Sequence, residues 1–346
     1  MISAKQLAEI LGISPSAVSI ALNGRPGISE ETRKKILETA EQMGYVHKKR
    51  AGSQNTNIYL FVSSSFNGSS TSDPNLFVDQ VIQGISYEAQ QLSYSLNITY
   101  VELASLTAEK IQAMIDRDCS GIILLATAGE SVDADIMRSL KIPFVTLDKP
   151  AEMYGLDSIT IANAQGIQLA VEYLLSLGHT SLAYIGGGTA FSNFSERWLG
   201  YINAVSVHPE LAGSEKNIIQ IHRSHSGPFE YSEFINAFLD KKTAAGEEVP
   251  TGFICATDWM AISCIQTLTA RGYRIPEDIS VIGFDNISLS EIVTPKLTTV
   301  NVPKERMGAL AVDRLHAIIT GTAKERVKIS VLTNLVIRES TGPAKQ

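Results

Sequence analysis

The chain is poor in residues that do covalent chemistry. Its 346 residues include three cysteines, Cys119, Cys255 and Cys264, an odd number with no metal-ligand spacing. That excludes a disulfide scaffold or a zinc site and leaves the thiols as core residues in a reducing compartment. No stretch reaches the roughly 18–20 consecutive apolar residues of a membrane span, and the N-terminus carries no apolar leader. A cytoplasmic protein with no membrane partner is expected. His208, His222 and His225 form no i, i+4 pair suited to zinc, and no G-x-S-x-G nucleophile motif occurs. Gly186-Gly187-Gly188 lacks the spacing of a dinucleotide fingerprint and any GKS or GKT element. No catalytic residue, metal or cofactor is therefore expected, and the chain is not read as an enzyme. Cations are scarce too. With 29 Lys and Arg against 36 Asp and Glu, the formal net charge of −7 opposes general affinity for nucleic acid.

The charge is unevenly placed. Residues 1–50 hold eight Lys and Arg against five Glu, a balance of +3, which leaves −10 on the rest. The basic end also has its own pattern. Ala4 to Leu11 spaces Leu7, Ala8 and Leu11 for a short helix, and Gly12 turns the chain. Ser14 is a good N-cap and Pro15 sits at the first helical position, where proline is tolerated best. Ala17, Val18, Ala21 and Leu22 then recur on one face, with Ser16, Ser19, Ile20 and Asn23 on the other. After a loop at Asn23–Gly27, Ser29 caps a third helix with Glu30 and Glu31 in its first turn, a buried face of Ile36, Leu37, Ala40 and Met43, and Gly44 as its stop. Three short helices over 1–46 read as a helix-turn-helix DNA-binding head, the alternative being a structural three-helix cap.

Residues 47–56, His47 to Thr56, are polar and basic and read as a linker. From Ile58 onward the pattern changes. Continuous apolar strands (Ile58–Val62, Leu96–Val101, Gly121–Leu125, Phe144–Leu147) alternate with helices (Leu76–Leu92, Thr107–Arg117, one near 132–139). A second round begins at the helix Ala164–Leu177. It continues with strands at Leu182–Ile185, Ile218–Ile221, Phe253–Ala256 and Ile279–Phe284, separated by helices Phe194–Val207, Phe229–Leu239 and Trp259–Arg271. The fold class is α/β: a small all-α head followed by two similar lobes built on parallel sheets, 57–346. Pro295–Val302 is expected to cross between lobes, helix Glu305–Ile319 to return to the first, and Lys328–Ile337 to end in the second. The first lobe is then about 57–162 and 297–323, the second about 163–294 and 326–342.

Ligands of open parallel sheets bind beyond the carboxyl ends of the strands. Those ends bring up Phe66, Thr127 and Asp148 in the first lobe, and the Gly186–Gly188 turn, His222, Asp258 and Asp285 in the second. Carboxylates accept from hydroxyls while aromatic faces cover C–H surfaces, a combination suited to a neutral polyhydroxyl ligand. Each residue has a plainer alternative. Asp258 can simply cap the helix it opens, Trp259 can fill core, and Asp148 and Asp285 can tie loops together.

Several motifs also carry a family likeness. In the head they are Leu7-Ala8, Gly12-Ile13-Ser14, Val18-Ser19, Leu22-Asn23, Ile28-Ser29, Thr32-Arg33 and Gly44-Tyr45. In the body they are Asp148-Lys149, Asn163 with Gly166, Gly178-His179, Arg197 with Gly200-Tyr201, Thr257-Asp258, the run Ile275–Asp285, Pro295–Val300 and Leu335–Ser340. The chain resembles the lactose-repressor/galactose-repressor (LacI/GalR) family over nearly its whole length. The resemblance implies a homodimeric regulator that binds a pseudo-palindromic operator and a small effector, a sugar, in a two-lobed body shared with periplasmic binding proteins. It implies phosphate contacts from Ser19, Asn23, Thr32, Arg33 and the hinge cations Lys48, Lys49 and Arg50, and base readout by Pro15, Ser16 and Ile20. Ile20 stands where the family often has a polar residue and is expected to read a thymine methyl or close shape. In the linker, His47, Lys48, Gly52 and Gln54 replace the family's Pro, Asn, Arg and wedging Leu. Arg197 resembles the arginine that reaches the effector, the alternative being a salt bridge, and Phe77 resembles an aromatic lip of the pocket. Two rival functions stand beside this one: a solute-binding protein without a transcriptional role, and an α/β enzyme acting on a sugar.

Overall fold

The computed structural model describes residues 8, 10–14, 17–18, 21, 28–42, 57–63, 76–126, 140–151, 154–187, 192–221 and 231–345. The chain divides into two compact units, Met1–Thr56 and Asn57–Gln346.

In the first unit, Ala8, Val18, Ala21, Ile36 and Ala40 form a small buried cluster, with Leu11, Ile13 and Ile28 packed against it. Ser14 caps as expected: its Oγ accepts from the Ala17 amide at 3.1 Å, and its carbonyl accepts from Val18. The α1 helix, Glu30–Gln42, starts on a second hydroxyl cap, Ser29 Oγ accepting from the Thr32 amide at 3.2 Å. Such caps are worth about 1 kcal/mol each. Arg33 Nη1 donates to the Ala21 carbonyl at 3.4 Å, and Thr32 shares its hydroxyl with Ser29 at 2.7 Å. Pro15, Ser16, Ser19, Ile20, Asn23 and the linker cations Lys48, Lys49 and Arg50 lie outside the described residues.

The second unit holds two six-stranded sheets. The first contains β1 Asn57–Ser63, β2 Ser95–Val101, β3 Cys119–Leu125, β4 Phe144–Leu147 and β5 Asp157–Ile161, with α2 Leu76–Gln91 and α3 Ala108–Met114 between strands. The second follows α4 Asn163–Ser176. It contains β6 Leu182–Gly187, β7 Ile218–Ile221, β8 Gly252–Cys255 and β9 Ser280–Asp285, with α5 Ser192–Ser206, α6 Ser232–Ala245 and α7 Asp258–Ala270 interleaved. Then come β10 Thr298–Asn301, α8 Lys304–Ile319, β11 Lys328–Val331 and β12 Asn334–Val336. Spatial order is β11-β5-β4-β3-β1-β2 in one sheet and β12-β10-β9-β8-β6-β7 in the other. The central strands β3, β4 and β8 are buried at every residue, which is why they read as continuous apolar runs.

Two expectations about the crossings need correction. Thr298–Asn301 does not leave the second lobe: β10 pairs in parallel with β9, Val300 opposite Phe284. Lys328–Val331 belongs to the first sheet, pairing with β5, and only β12 returns to the second, antiparallel to β10. The lobes therefore exchange chain at 162, at 302–303 and at 332–333, a residue or two each time, because β5, β10 and β11 each run up to the crossing before the chain leaves its sheet. Strand β5 is also absent from the strands expected of the sequence. Asp157, Ser158 and Thr160 make it look like a loop, yet all five of its residues are buried.

Helix α8 packs on the first sheet and on α2. Gly84 of α2 and Gly308 of α8 make that crossing close: an added Cβ would meet backbone of Glu305 and Val81. The third helix of the first lobe, expected near 132–139, lies outside the described residues.

Candidate functional site

The ends of β4 and β9, the start of α4 and the first turns of α5 converge where the lobes meet. Asp148 follows β4 with φ +62° and is 2% exposed. It accepts from Asn193 Nδ2 of α5 at 2.9 Å, a hydrogen bond from one lobe to the other. Asn163, first residue of α4, donates through Nδ2 to Glu196 Oε2 at 2.8 Å and to Asn193 Oδ1 at 3.1 Å. Its Oδ1 accepts from Arg197 Nε at 2.8 Å.

Arg197 is the hub. It is 4% exposed, its Nη1 donates to the Ala256 carbonyl at 2.5 Å, and its Nη2 meets Asp285 Oδ1 at 3.2 Å. Its guanidinium carbon stands 3.8 Å from the centroid of the Phe284 ring, a cation–π contact that fixes the plane of the fork. The helix expected from Phe194 starts two residues earlier. Helix α5 begins at Ser192, so Asn193, Glu196 and Arg197 share one face at i, i+3 and i, i+4 spacing, all turned to the junction.

Asp258 is fully buried, and its two oxygens are used inside the second lobe. Oδ1 accepts from Thr299 Oγ1 at 2.5 Å and Oδ2 from the Ile287 amide at 2.8 Å. The cap of α7 is its neighbour Thr257, whose hydroxyl accepts from Met260 N at 3.2 Å. Asp258 thus anchors the turn after β9, where Asp285 and Asn286 have φ of +108° and +51°. Trp259 is half-buried against the core, as is Phe77, whose ring centroid is 5.9 Å from Lys304 Nζ. His222, Phe66, Thr127 and Gly188 lie outside the described residues.

Electrostatically the junction holds more acid than base. Burial pushes the Asp148 carboxyl up to about 7; the Asn193 hydrogen bond and the Arg197 charge oppose the rise, and Asp285 and Glu196 add to it. Burial, then the charge of Asp285, takes Asp258 up to about 8. Asp285 is raised by burial against the pull of Arg197 and Lys304. Among the described residues, Asp148, Glu196 and Asp285 each accept side-chain hydrogen bonds at one carboxylate oxygen. The second oxygen of each is an acceptor left over. Asn193, Glu196, Phe284 and Lys304 were not among the site residues expected from sequence. The Asn193-x-x-Glu196-Arg197 spacing could have found two of them. Among the described residues no group of three or more His, Cys, Asp or Glu is placed to hold a metal ion, and no helix is long and apolar enough to cross a membrane.

The whole chain has relatives. It is 31% identical over 347 residues to the probable HTH-type transcriptional repressor ExuR of Bacillus subtilis (strain 168), covering 98% of both. The chain belongs to the LacI/GalR family of transcriptional regulators. A second relative, the HTH-type transcriptional repressor PurR of Pasteurella multocida (strain Pm70), is 28% identical over 345 residues and 98% of each chain. The periplasmic binding protein-like domain family matches residues 171–341. Among solved structures, the chain is similar to the transcriptional regulator CelR in complex with cellobiose (TM-score 0.69, 22% identity, 98% of this chain and 100% of that one). It is also similar to the lac repressor dimer bound to operator and the anti-inducer ONPF (TM-score 0.68, 23% identity, 99% of each). The match to the ExuR repressor runs over 98% of this chain, so the LacI/GalR chain is a DNA-binding regulator and not a solute-binding protein without a transcriptional role.

Proposed function

We propose that this regulator is a homodimeric repressor whose operator binding is controlled by a small polyhydroxyl ligand, a sugar, held between the lobes. The observation that carries the reading is the Arg197 junction: a fixed guanidinium paired with Asp285 and linked through Asn163 and Asn193 to Glu196 and Asp148, each carboxylate with an oxygen to spare, at two strand ends and the first turns of α5, with both lobes contributing. Carboxylate acceptors match ligand hydroxyls, and a ligand that bridges Asp148 of one lobe and Arg197 or Asp285 of the other favours the closed arrangement. A ligand shifts such an equilibrium only by its differential affinity for the two states, and operator must alter ligand affinity reciprocally. Phe77 and Trp259 are assigned the apolar ring faces and His222 a place at the rim. Asp258 acts from behind, by holding the turn that carries Asp285. In the head, Ser14 caps the reading helix, Pro15, Ser16 and Ile20 face bases, and Ser19, Asn23, Thr32, Arg33, Lys48, Lys49 and Arg50 meet phosphates. No catalysis is assigned to the cleft.

Selection of bound sequences from a random DNA pool by the full-length protein tests the regulator half of the reading. A two-fold symmetric site is the expected result, and enrichment of an asymmetric single site would overturn the dimer. Sugars, with cellobiose and ribose as the first members of the panel, are then screened for release of that operator.

A further inference from the structure

Lys304 sits where an ammonium is disfavoured twice. It is the first residue of α8, the helix end that repels cations, and it is 4% exposed, which strips its hydration. Burial holds its pKa below the usual lysine range, although Asp285, Asp258 and Glu305 pull the other way. What offsets these costs is a set of three hydrogen bonds. Nζ donates to the carbonyls of Asp285 at 2.5 Å, Asn286 at 3.2 Å and Val302 at 3.3 Å. An ammonium has three N–H donors, and all are used.

Two of those acceptors belong to the adjacent positive-φ residues at the end of β9, a conformation that side-chain-bearing residues adopt at a cost and only when their surroundings impose it. The Asn286 side chain is held separately, donating to Asn301 Oδ1 at 3.0 Å and accepting from Arg338 Nη2 at 2.8 Å. The backbone carbonyls face Lys304. This turn aims Asp285 at Arg197 and offers the Ile287 amide to Asp258. Lys304 itself leaves a helix packed on the first sheet, and between helix and turn lies the 302–303 crossing.

We propose that Lys304 is a hinge clamp, tying the first-lobe helix α8 to the second-lobe Asp285–Asn286 turn and so holding Asp285 and Arg197 in the geometry that receives the ligand. It is a positioning residue: its donors are saturated by protein carbonyls and it does not touch ligand. The inference rests on the cleft being the ligand site, but its test needs no ligand.

The test is hydrogen exchange on the full-length wild type, K304M, K304Q and K304R. Methionine keeps the length of the stem and removes every donor. Peptides covering 284–288 and 300–304 are expected to exchange about tenfold faster in K304M, while the α7 core at 261–268 changes by less than about threefold. K304Q, with a shorter amide donor, should fall between K304M and wild type, and K304R should restore most of the protection. Unchanged exchange at 284–288 in K304M, or in K304Q if K304M does not fold, overturns the clamp. So does uniform acceleration of both lobes with no rescue by arginine, which would make Lys304 a general packing contribution. A screen in which no sugar releases operator, with the clamp intact by exchange, would instead count against the ligand assignment.

Discussion

Two buried charge clusters, one inside the first lobe and one where the lobes meet, are built in opposite ways. Asp157, fully buried on β5, faces two cations: Arg314 Nε at 2.7 Å and Arg326 Nη1 at 2.7 Å, with the Val327 amide donating at 2.9 Å. Arg314 also donates to the Glu325 carbonyl. Both carboxylate oxygens are engaged, and the cluster ties α8 and the approach to β11 onto the first sheet. At the junction the stoichiometry is inverted. Arg197 pairs with Asp285 and is linked to Glu196 through Asn163, and on to Asp148 through Asn193; two of these three carboxylates are pushed above the ordinary carboxylate range, and acceptors are left over. The first arrangement is a closed lock between elements that stay together. The second keeps hydrogen-bonding capacity where the two lobes approach, as the proposed ligand site requires.

The contrast can be broken from either side. The largest effect is expected at the lock. Removing one partner of a buried ion pair leaves uncompensated charge and costs about 3 kcal/mol or more. D157A should therefore lower the unfolding free energy by that amount, read as a lower denaturant midpoint at unchanged m, while operator affinity per folded molecule is unchanged. A midpoint equal to wild type would mean that Arg314 and Arg326 are satisfied without Asp157.

The next effect is at the hub. Loss of a charge-assisted hydrogen bond costs about 1.5–3 kcal/mol, so R197A should weaken the sugar that releases operator by roughly ten- to a hundredfold in calorimetry. Ligand-free operator binding should survive. Unaltered sugar affinity would make Arg197 a salt-bridge residue like Arg314.

The smallest effect is a pH slope. Asp148 is raised from the ordinary carboxylate range to about 7, so between those values the folded state holds a proton that the unfolded chain has lost. Its contribution to stability is complete below the unfolded value and is lost as pH rises through 7. Wild type should lose more midpoint between pH 5 and pH 8 than D148N, which has no carboxyl to titrate there. Parallel slopes in the two proteins would show that Asp148 stays ionised throughout.

The same two clusters show what sequence could and could not disclose. Strands buried on both faces announce themselves as apolar runs, so β1, β3, β4 and the lobe repeat were legible, as were the caps at Ser14 and Ser29. Strand β5 was not, because its burial depends on Arg314 and Arg326, more than 150 residues away along the chain. The crossings were misplaced for a related reason: β10 and β11 are short strands, one between β12 and β9 and one at a sheet edge, whose sheet is decided by partners, not by their own composition. At the junction, Asp148, Arg197 and Asp285, expected from strand ends and the family likeness, lie together. Asp258 has the expected position but spends both oxygens on Thr299 and Ile287. Lys304 escaped notice because a cation at a helix start is usually a solvated one, and only the fold supplies the three carbonyls that bury it.

The central claim is that a ligand between the lobes governs operator binding. The most direct measurement is a titration of the wild-type and R197A complexes with the selected operator, using the sugars that bind the wild-type body and following release by fluorescence anisotropy. The account predicts that a sugar releases wild-type protein and that R197A needs roughly ten- to a hundredfold more of it. Release of both proteins at the same sugar concentration would contradict it.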